Sequence, residues 1–363
     1  MSWSSIADAI WEGDSFGAGT TRAALSPLAS LFGRVVARRN GRFDATFPRA
    51  AALPALSVGN LTVGGTGKTP VAAWCIEQLR VRGARPAIVM RGVGDDEWRV
   101  HGLLNPGSRV IVSPDRHNGL VVAKTQGADC AVLDDAFQHR QAARVVDIVL
   151  VSADRWRGRA LLLPAGPFRE PMTSLRRADV VVITNKAASS EQVQSVGAAI
   201  HAAAPDVPTA RVRLAPGLLR LAVTLPREGI EPRSAGSRDP LLTHPPEWLT
   251  GRAIGAVSAI GDPEAFESQL RGLGAALSVV RRFPDHHRYT TSDAALLATL
   301  AGGSSGLVCT LKDAVKLGPL WPREAPPLWY LSQSVVVDRG AEALDRMFVR
   351  LLSARTASAP TAG

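Results

Sequence analysis

From about residue 53 the chain alternates short, almost unbroken apolar runs with segments of helical period. The runs are "ALPALSVGN" (52–60), "PAIVM" (86–90), "RVIVS" (109–113), "CAVLDD" (130–135), "VDIVLVS" (146–152) and "DVVVIT" (179–184). Between them, helices are predicted from Pro70 to about Arg82 and near 117–126. Strands this apolar are buried on both faces, and strands that alternate with helices imply a parallel sheet covered on both sides. A doubly wound α/β domain is therefore expected.

The pattern changes at 210–250, where a strand-like stretch, "ARVRLAPGLLRLAVTL", leads into a segment rich in Pro, Gly and charge that reads as connection. A second alternation follows: "AIGAVSAIG", a helix over 263–273, "ALSVVRRF", a helix over 291–301, "GLVCTL", "LWYLSQSVVV" and a last helix over 340–353. The expected division is an N-terminal helical region (1–43), a first α/β domain (44–209), a connection (210–250), a smaller α/β domain (251–353) and a disordered tail (354–363), whose small polar residues offer little to pack. No repeat of fixed period is present.

Residues 21–43, "TRAALSPLASLFGRVVARRNGRF", place Leu25, Leu28, Leu31, Phe32, Val35 and Val36 at helical spacing, with Arg34, Arg38, Arg39 and Arg42 towards the end. Two outcomes are open. The helix can lie on a membrane surface, with arginines at lipid phosphates, or pack on its own domain, with arginines near its C-terminal dipole. No run reaches the ~18 uncharged apolar residues of a spanning helix, and no signal-peptide pattern opens the chain.

Composition narrows this only in part. The 42 Lys+Arg against 32 Asp+Glu, a net charge of +10 over 363 residues, favours acidic partners such as nucleotides or anionic lipids. Five of the cations are lysines, so a general bias toward arginine accounts for most basic positions and weakens a nucleic-acid reading. Cys75, Cys130 and Cys309 lie far apart among apolar residues, which fits neither zinc nor a disulfide framework and points to a reducing cytoplasm.

The chemistry concentrates after the first strand. "SVGNLTVGGTGKTP" (57–70) offers Thr62, Val63, Gly64, Gly65, Thr66, Gly67, Lys68 and Thr69 as a phosphate loop. Its glycines let the backbone approach phosphate, Lys68 supplies a point charge, and the Thr69 hydroxyl suits Mg²⁺. Thr62 stands where the general P-loop pattern has its first glycine. "CAVLDDAFQHR" places Asp134 and Asp135 at the end of another apolar strand, where a carboxylate would help to hold Mg²⁺. Paired aspartates there also serve as caps.

Together "SVGNLTVGGTGKTP", "RGVGDDE", "VSPDR", "LDDAFQHR", "LLPAGPFREP", "FPDHHRYT" and "TLKDAVKL", in this order from 57 to about 317, resemble the tetraacyldisaccharide 4′-kinases, which phosphorylate the lipid A precursor. The resemblance implies a P-loop NTPase-like parallel-sheet domain with a second, smaller α/β domain. It further implies ATP and Mg²⁺ as cofactors, a lipid disaccharide substrate and a peripheral position on the cytoplasmic face of the inner membrane, at its anionic surface. No nucleic-acid or protein partner is expected. It assigns proton removal to an aspartate paired with a histidine, here Asp96 with His286. In "LLPAGPFREP" Pro167 and Pro171 bracket Arg169, which is either held toward phosphate as a catalytic cation beside Lys68 or part of an Arg169–Glu170 turn with exposed charges. Asp95 is the alternative to Asp96, which is preferred because Glu97 follows it. Three positions depart from the family: Val93 replaces a tyrosine, Ala136 a glycine and Leu311 a glutamate. Two other readings compete, a P-loop switch ATPase and a kinase of a soluble small molecule. Against a switch GTPase, "TNKA" (184–187) lacks the aspartate of a guanine-reading motif.

Overall fold

The computed structural model describes residues 3–46, 48–92, 97–222, 243–260, 263–284 and 287–357. They divide into two compact units: Met1–Val93, Ser108–Leu214 and Val335–Gly363 form the first, Gly94–Gly107 and Ala215–Ser334 the second.

The first unit opens with helices α1 (Trp3–Glu12) and α2 (Phe16–Asp44), the latter capped by Ser15, whose side chain accepts from the Ala18 amide. Its strands are β1 (Ala55–Asn60), β2 (Pro86–Met90), β3 (Arg109–Val112), β4 (Cys130–Asp134), β5 (Val146–Ser152), β6 (Val180–Asn185) and the start of β7 (Thr209–Leu221). They lie in the order β7-β6-β5-β1-β4-β2-β3, every pair parallel. The apolar runs read as doubly covered strands are that: β1, β2 and β4 are buried throughout. One face carries α3 (Lys68–Val81) and the C-terminal helix α10 (Ala341–Ala357), with Val71, Ile76 and Leu79 in one core with Leu344, Phe348 and Leu351. The other face carries α5 (Arg116–Thr125) and α6 (Ser190–Ala203). Each buried aliphatic side chain there contributes roughly 1.5–3 kcal/mol.

Strand order reverses at β1, since the chain reaches β2 and β3 on one side and β5, β6 and β7 on the other. In open parallel sheets ligands bind outside the carboxyl ends of the strands at such a point.

The second unit has four parallel strands, in the order β10 (Ala276–Arg282), β9 (Ala253–Ser258), β11 (Leu307–Cys309) and β12 (Leu328–Arg339). A two-residue strand, β8 (Thr243–His244), pairs antiparallel with the end of β7. Helices α7 (Pro263–Gly272), α8 (Thr291–Leu300) and α9 (Leu311–Leu317) connect them, and α4 (Glu97–Leu104) packs against α9.

Two boundaries differ from the sequence expectation. Helix α10 belongs to the first unit rather than the smaller domain, because its Leu344, Met347 and Phe348 complete the core over β1 and β5. Helix α4 belongs to the second unit, although it falls in the middle of the expected first domain. Of the expected disordered tail, 354–357 continue α10, and 358–363 lie outside the described residues.

Candidate functional site

Strand β1 ends at Asn60, fully buried, and the chain turns through Gly64 (φ 103°) and Gly67 (φ 83°) into α3. Left-handed backbone favours glycine at both positions. A side chain at Gly67 would also meet Leu214 at 2.5 Å, whereas at Gly65 the space is open within 4 Å. No side chain caps α3, so its first amides suit an anion. Thr69 lies half-buried in that first turn.

Asn60 is the hub of the loop. Its amide nitrogen donates to Thr66 Oγ1 at 2.8 Å and reaches Thr62 Oγ1 at 3.5 Å. Its Oδ1 accepts from Lys68 Nζ at 3.3 Å and from Arg169. Its carbonyl accepts from Gln138 Nε2 at 2.9 Å and Arg169 Nη2 at 3.3 Å. The sequence reading passed over Asn60, although a polar residue ending an otherwise buried strand was a usable signal.

Backbone pairing places Arg169. The amide of Arg169 donates to Leu61 O at 2.7 Å and that of Val63 to Pro167 O at 2.8 Å, so the "GPFRE" segment runs beside the phosphate loop. Strand β4 ends at the buried Asp134, and the next residue, Asp135, takes a left-handed conformation (φ 47°). Asp135 Oδ1 lies 3.1 Å from Arg169 Nη2 and 3.8 Å from Lys68 Nζ. Beneath this turn the buried Arg116, from "VSPDR", donates to the Asp134 carbonyl at 3.1 Å and the Ser113 carbonyl at 2.9 Å.

Burial pushes the Asp135 carboxyl up, but Lys68 and Arg169 outweigh it and hold it below the ordinary carboxylate value. Burial above all, with the cations Arg116 and Arg91, pushes neighbouring His139 down and so favours its neutral form. Lys68, Asp135 and Arg169 thus converge at the switch point, with Thr69 next to Lys68 in the first turn of α3 and Asp134 ending β4. Two cations face the one carboxylate of Asp135, an arrangement with charge to spare for an anion.

Glu170, rather than standing exposed in a turn beside Arg169, is fully buried and accepts from Arg177 at 2.8 Å, Asn40 at 2.9 Å and Arg39 at 3.2 Å. Burial pushes its carboxyl up, and Arg177 above all pulls it below its ordinary value. Arg39, expected at lipid phosphates, is thus engaged by its own domain and anchors the end of α2. Phe32 is half-buried, while Leu28, Leu31 and Val35 are 55%, 55% and 60% exposed. Arg34, Arg38 and Arg42 are also exposed.

Asp95, Asp96 and His286 lie outside the described residues.

Comparison with known proteins bears on the whole chain. A family model described as tetraacyldisaccharide-1-P 4′-kinase matches residues 21–108 and 93–353. The tetraacyldisaccharide 4′-kinase of Syntrophus aciditrophicus is 34% identical over 85% of this chain and 88% of that protein. That of Anaeromyxobacter sp. (strain Fw109-5) is 36% identical over 87% of this chain and 88% of its own. Among solved structures, an LpxK from Aquifex aeolicus in complex with ATP superposes with a TM-score of 0.71 at 25% identity, covering 91% of this chain and 99% of that one. These matches span both units and decide against the switch ATPase and the soluble-substrate kinase. The chain belongs to the tetraacyldisaccharide-1-phosphate 4′-kinase family.

Proposed function

We propose that the cluster of Asn60, Lys68, Asp135 and Arg169 is where this kinase transfers the γ-phosphoryl group of ATP to the 4′-hydroxyl of tetraacyldisaccharide 1-phosphate, in lipid A biosynthesis. The observation that carries the placement is the convergence of Lys68 and Arg169 on Asn60 and Asp135 beside an open, glycine-lined loop at the switch point.

Phosphoryl transfer asks a protein for positioning and charge neutralisation. The backbone from Thr62 to Thr69 cradles the β- and γ-phosphates, while Lys68 and Arg169 turn from Asp135 to the phosphate oxygens. Thr69, Asp134 and Asp135 would hold Mg²⁺, an ion that binds through one or two carboxylates together with phosphate and water. Bound there, it would neutralise charge on the transferring group. Asp96, paired with His286, takes the proton of the 4′-hydroxyl as its oxygen bonds to phosphorus and the bond to ADP breaks.

The protein works as a peripheral enzyme on the cytoplasmic face of the inner membrane. No helix among the described residues is long and apolar enough to cross a membrane. Leu28, Leu31 and Val35 form an exposed apolar stripe on α2, bordered by Arg34 and Arg38. Each such arginine contributes about 1 kcal/mol near an anionic surface.

Incubation with ATP, Mg²⁺ and the disaccharide, followed by mass spectrometry, should show one added phosphate. Failure of the wild type to make it would refute the assignment. The membrane reading expects sedimentation with anionic vesicles at low salt and release at high salt. It also expects Leu28→Asp, Leu31→Asp to lose activity on vesicle-embedded substrate more than on detergent-dispersed substrate, and equal losses would make α2 merely structural.

A further inference from the structure

Arg155 takes no part in the phosphoryl transfer described above, yet it borders the tip of the phosphate loop. The loop is pinned at both ends. At one end the Val63 amide donates to Pro167 O at 2.8 Å; at the other, Thr66 accepts at its hydroxyl from Asn60 at 2.8 Å and at its carbonyl from Thr184 Oγ1 at 3.0 Å. Between these ends stand Gly64 and Gly65. Nothing lies within 4 Å of where a side chain would begin at Gly65, whereas at Gly64 the three nearest heavy atoms all belong to Arg155: Nη1 at 2.5 Å, Cζ at 3.0 Å and Nη2 at 3.4 Å. The guanidinium fills the space that the missing Gly64 side chain leaves.

Arg155 is itself held from two sides. It leaves a turn directly after β5 that is fixed to the end of β6: the Ala153 amide donates to Thr184 O at 2.9 Å, and the Asp154 carboxylate accepts from the Lys186 and Ala187 amides at 2.9 and 2.7 Å. On the other side Glu12, the last residue of α1, places Oε1 2.5 Å from Arg155 Nη2 and Oε2 2.8 Å from Arg157 Nη2. The Glu12 and Arg155 side chains are 25% and 29% exposed, so water and salt screen the pair less than they screen a surface pair. The Trp11 indole donates to Pro164 O at 3.0 Å and keeps the end of α1 over the segment that leads to Arg169. The family model matches from residue 21 onward, so α1 is tied to the loop by these contacts and not by resemblance.

We infer that Arg155, held by Glu12 of α1, is a positioning residue for ATP: it fixes the tip of the phosphate loop in the turn, φ 103° at Gly64, from which the loop amides meet phosphate. The inference rests on reading residues 62–69 as the phosphate loop. Arg155 acts through Gly64, and its charge is answered by Glu12 rather than by the nucleotide. A loop fixed beforehand has no ordering left to undergo when its ligand binds, and a loop competent for only part of the time loses apparent affinity by that fraction.

The test measures binding and turnover separately on the full chain, with MgATP and detergent-dispersed disaccharide. Arg155→Ala should raise the calorimetric Kd for MgATP, and the KM for ATP with it, about tenfold, while kcat at saturating ATP stays within about twofold. Glu12→Gln keeps the shape of the partner and removes its charge, so it serves even if Arg155→Ala does not fold. It should weaken MgATP binding about threefold, and its addition to Arg155→Ala should cost less than about a further twofold, because the two residues act as a unit. An unchanged Kd in either variant, fully additive losses, or a loss confined to kcat would overturn the inference alone. A Lys68→Ala enzyme with wild-type turnover would overturn the phosphate-loop reading and this inference with it.

Discussion

Two aspartates stand beyond the carboxyl ends of parallel strands, one in each unit, and are treated in opposite ways. Asp135 follows β4 with its side chain 41% exposed, faces Lys68 and Arg169, and is held below the ordinary carboxylate value. Asp313, in the first turn of α9, is completely buried, and burial pushes it above that value, with the donors Thr310, Ala259 and Tyr289 pulling only part of the way back. The first keeps company with cations that a ligand can recruit; the second is closed off mainly by neutral donors, with Lys316 the least of the influences on it. The contrast separates a site that handles charge from a bond set that holds a shape.

The largest effect should come from taking cations from the first region. Lys68→Ala is expected to lower kcat by about 10³-fold while the circular dichroism spectrum stays unchanged, since Lys68 acts on phosphate rather than in a core. Turnover near wild type would erase the distinction, because Asp135 would then be a capped turn like many others. Glu170 tests the middle ground, a buried carboxylate with charged partners. Removing it in Glu170→Ala leaves Arg177, Arg39 and Asn40 without their acceptor and should cost about 3 kcal/mol of stability, read as a lowered Tm. A variant as stable as the wild type would mean that α2 is anchored by other contacts.

A matched pair of amide substitutions sharpens the comparison. Asp135→Asn should lower kcat by about 10²-fold and shift the Mg²⁺ titration, with a stability change under about 1 kcal/mol because the group is partly solvated. Asp313→Asn presents an NH₂ group to donors and should cost about 1–3 kcal/mol. Equal Tm losses in the two would remove the difference between the regions.

Much of the first region was legible because its signals are local. A strand, a run of glycines and a lysine occupy consecutive positions, and two aspartates end a strand whose apolar character declares it central. Arg169 could be read from its bracketing prolines only as one of two outcomes, held toward phosphate or exposed in a turn, and the family resemblance tipped the balance. Its contacts to Asn60 and Asp135 join residues 109 and 34 positions apart, and no periodicity reports such separations. The same holds for Arg39 on Glu170. Asp313 stands in the first turn of α9 and bonds the N-cap Thr310, a local contact, but its bonds to Ala259 and Tyr289 appear only once three strands lie side by side. Helix α10 shows the limit at the scale of units: an amphipathic pattern says that one face is covered, not which sheet covers it. Helices α1, α4 and α6 were not anticipated, and α4 stands in the first half of the chain while packing with the second unit.

The smallest expected effect is the sharpest in sign. Asp135 is depressed in the folded state, so as pH falls below the ordinary aspartate value of about 3.9 the unfolded chain takes up a proton that folded Asp135 refuses. Its contribution to stability is present above that value and is lost as pH falls through the folded one. Asp313 is raised, so as pH climbs past about 3.9 the unfolded chain releases a proton that folded Asp313 retains. Its contribution is greatest below that value and declines as pH rises through the folded one. Subtracting each amide variant's stability from that of the wild type, by thermal unfolding across pH 3–7, isolates these terms, because neither asparagine titrates. The Asp135 difference should rise with pH and the Asp313 difference should fall. Two curves of the same slope would show that the aspartates feel the same kind of environment, and the division between a charge-handling edge and a shape-holding edge would then have no electrostatic basis.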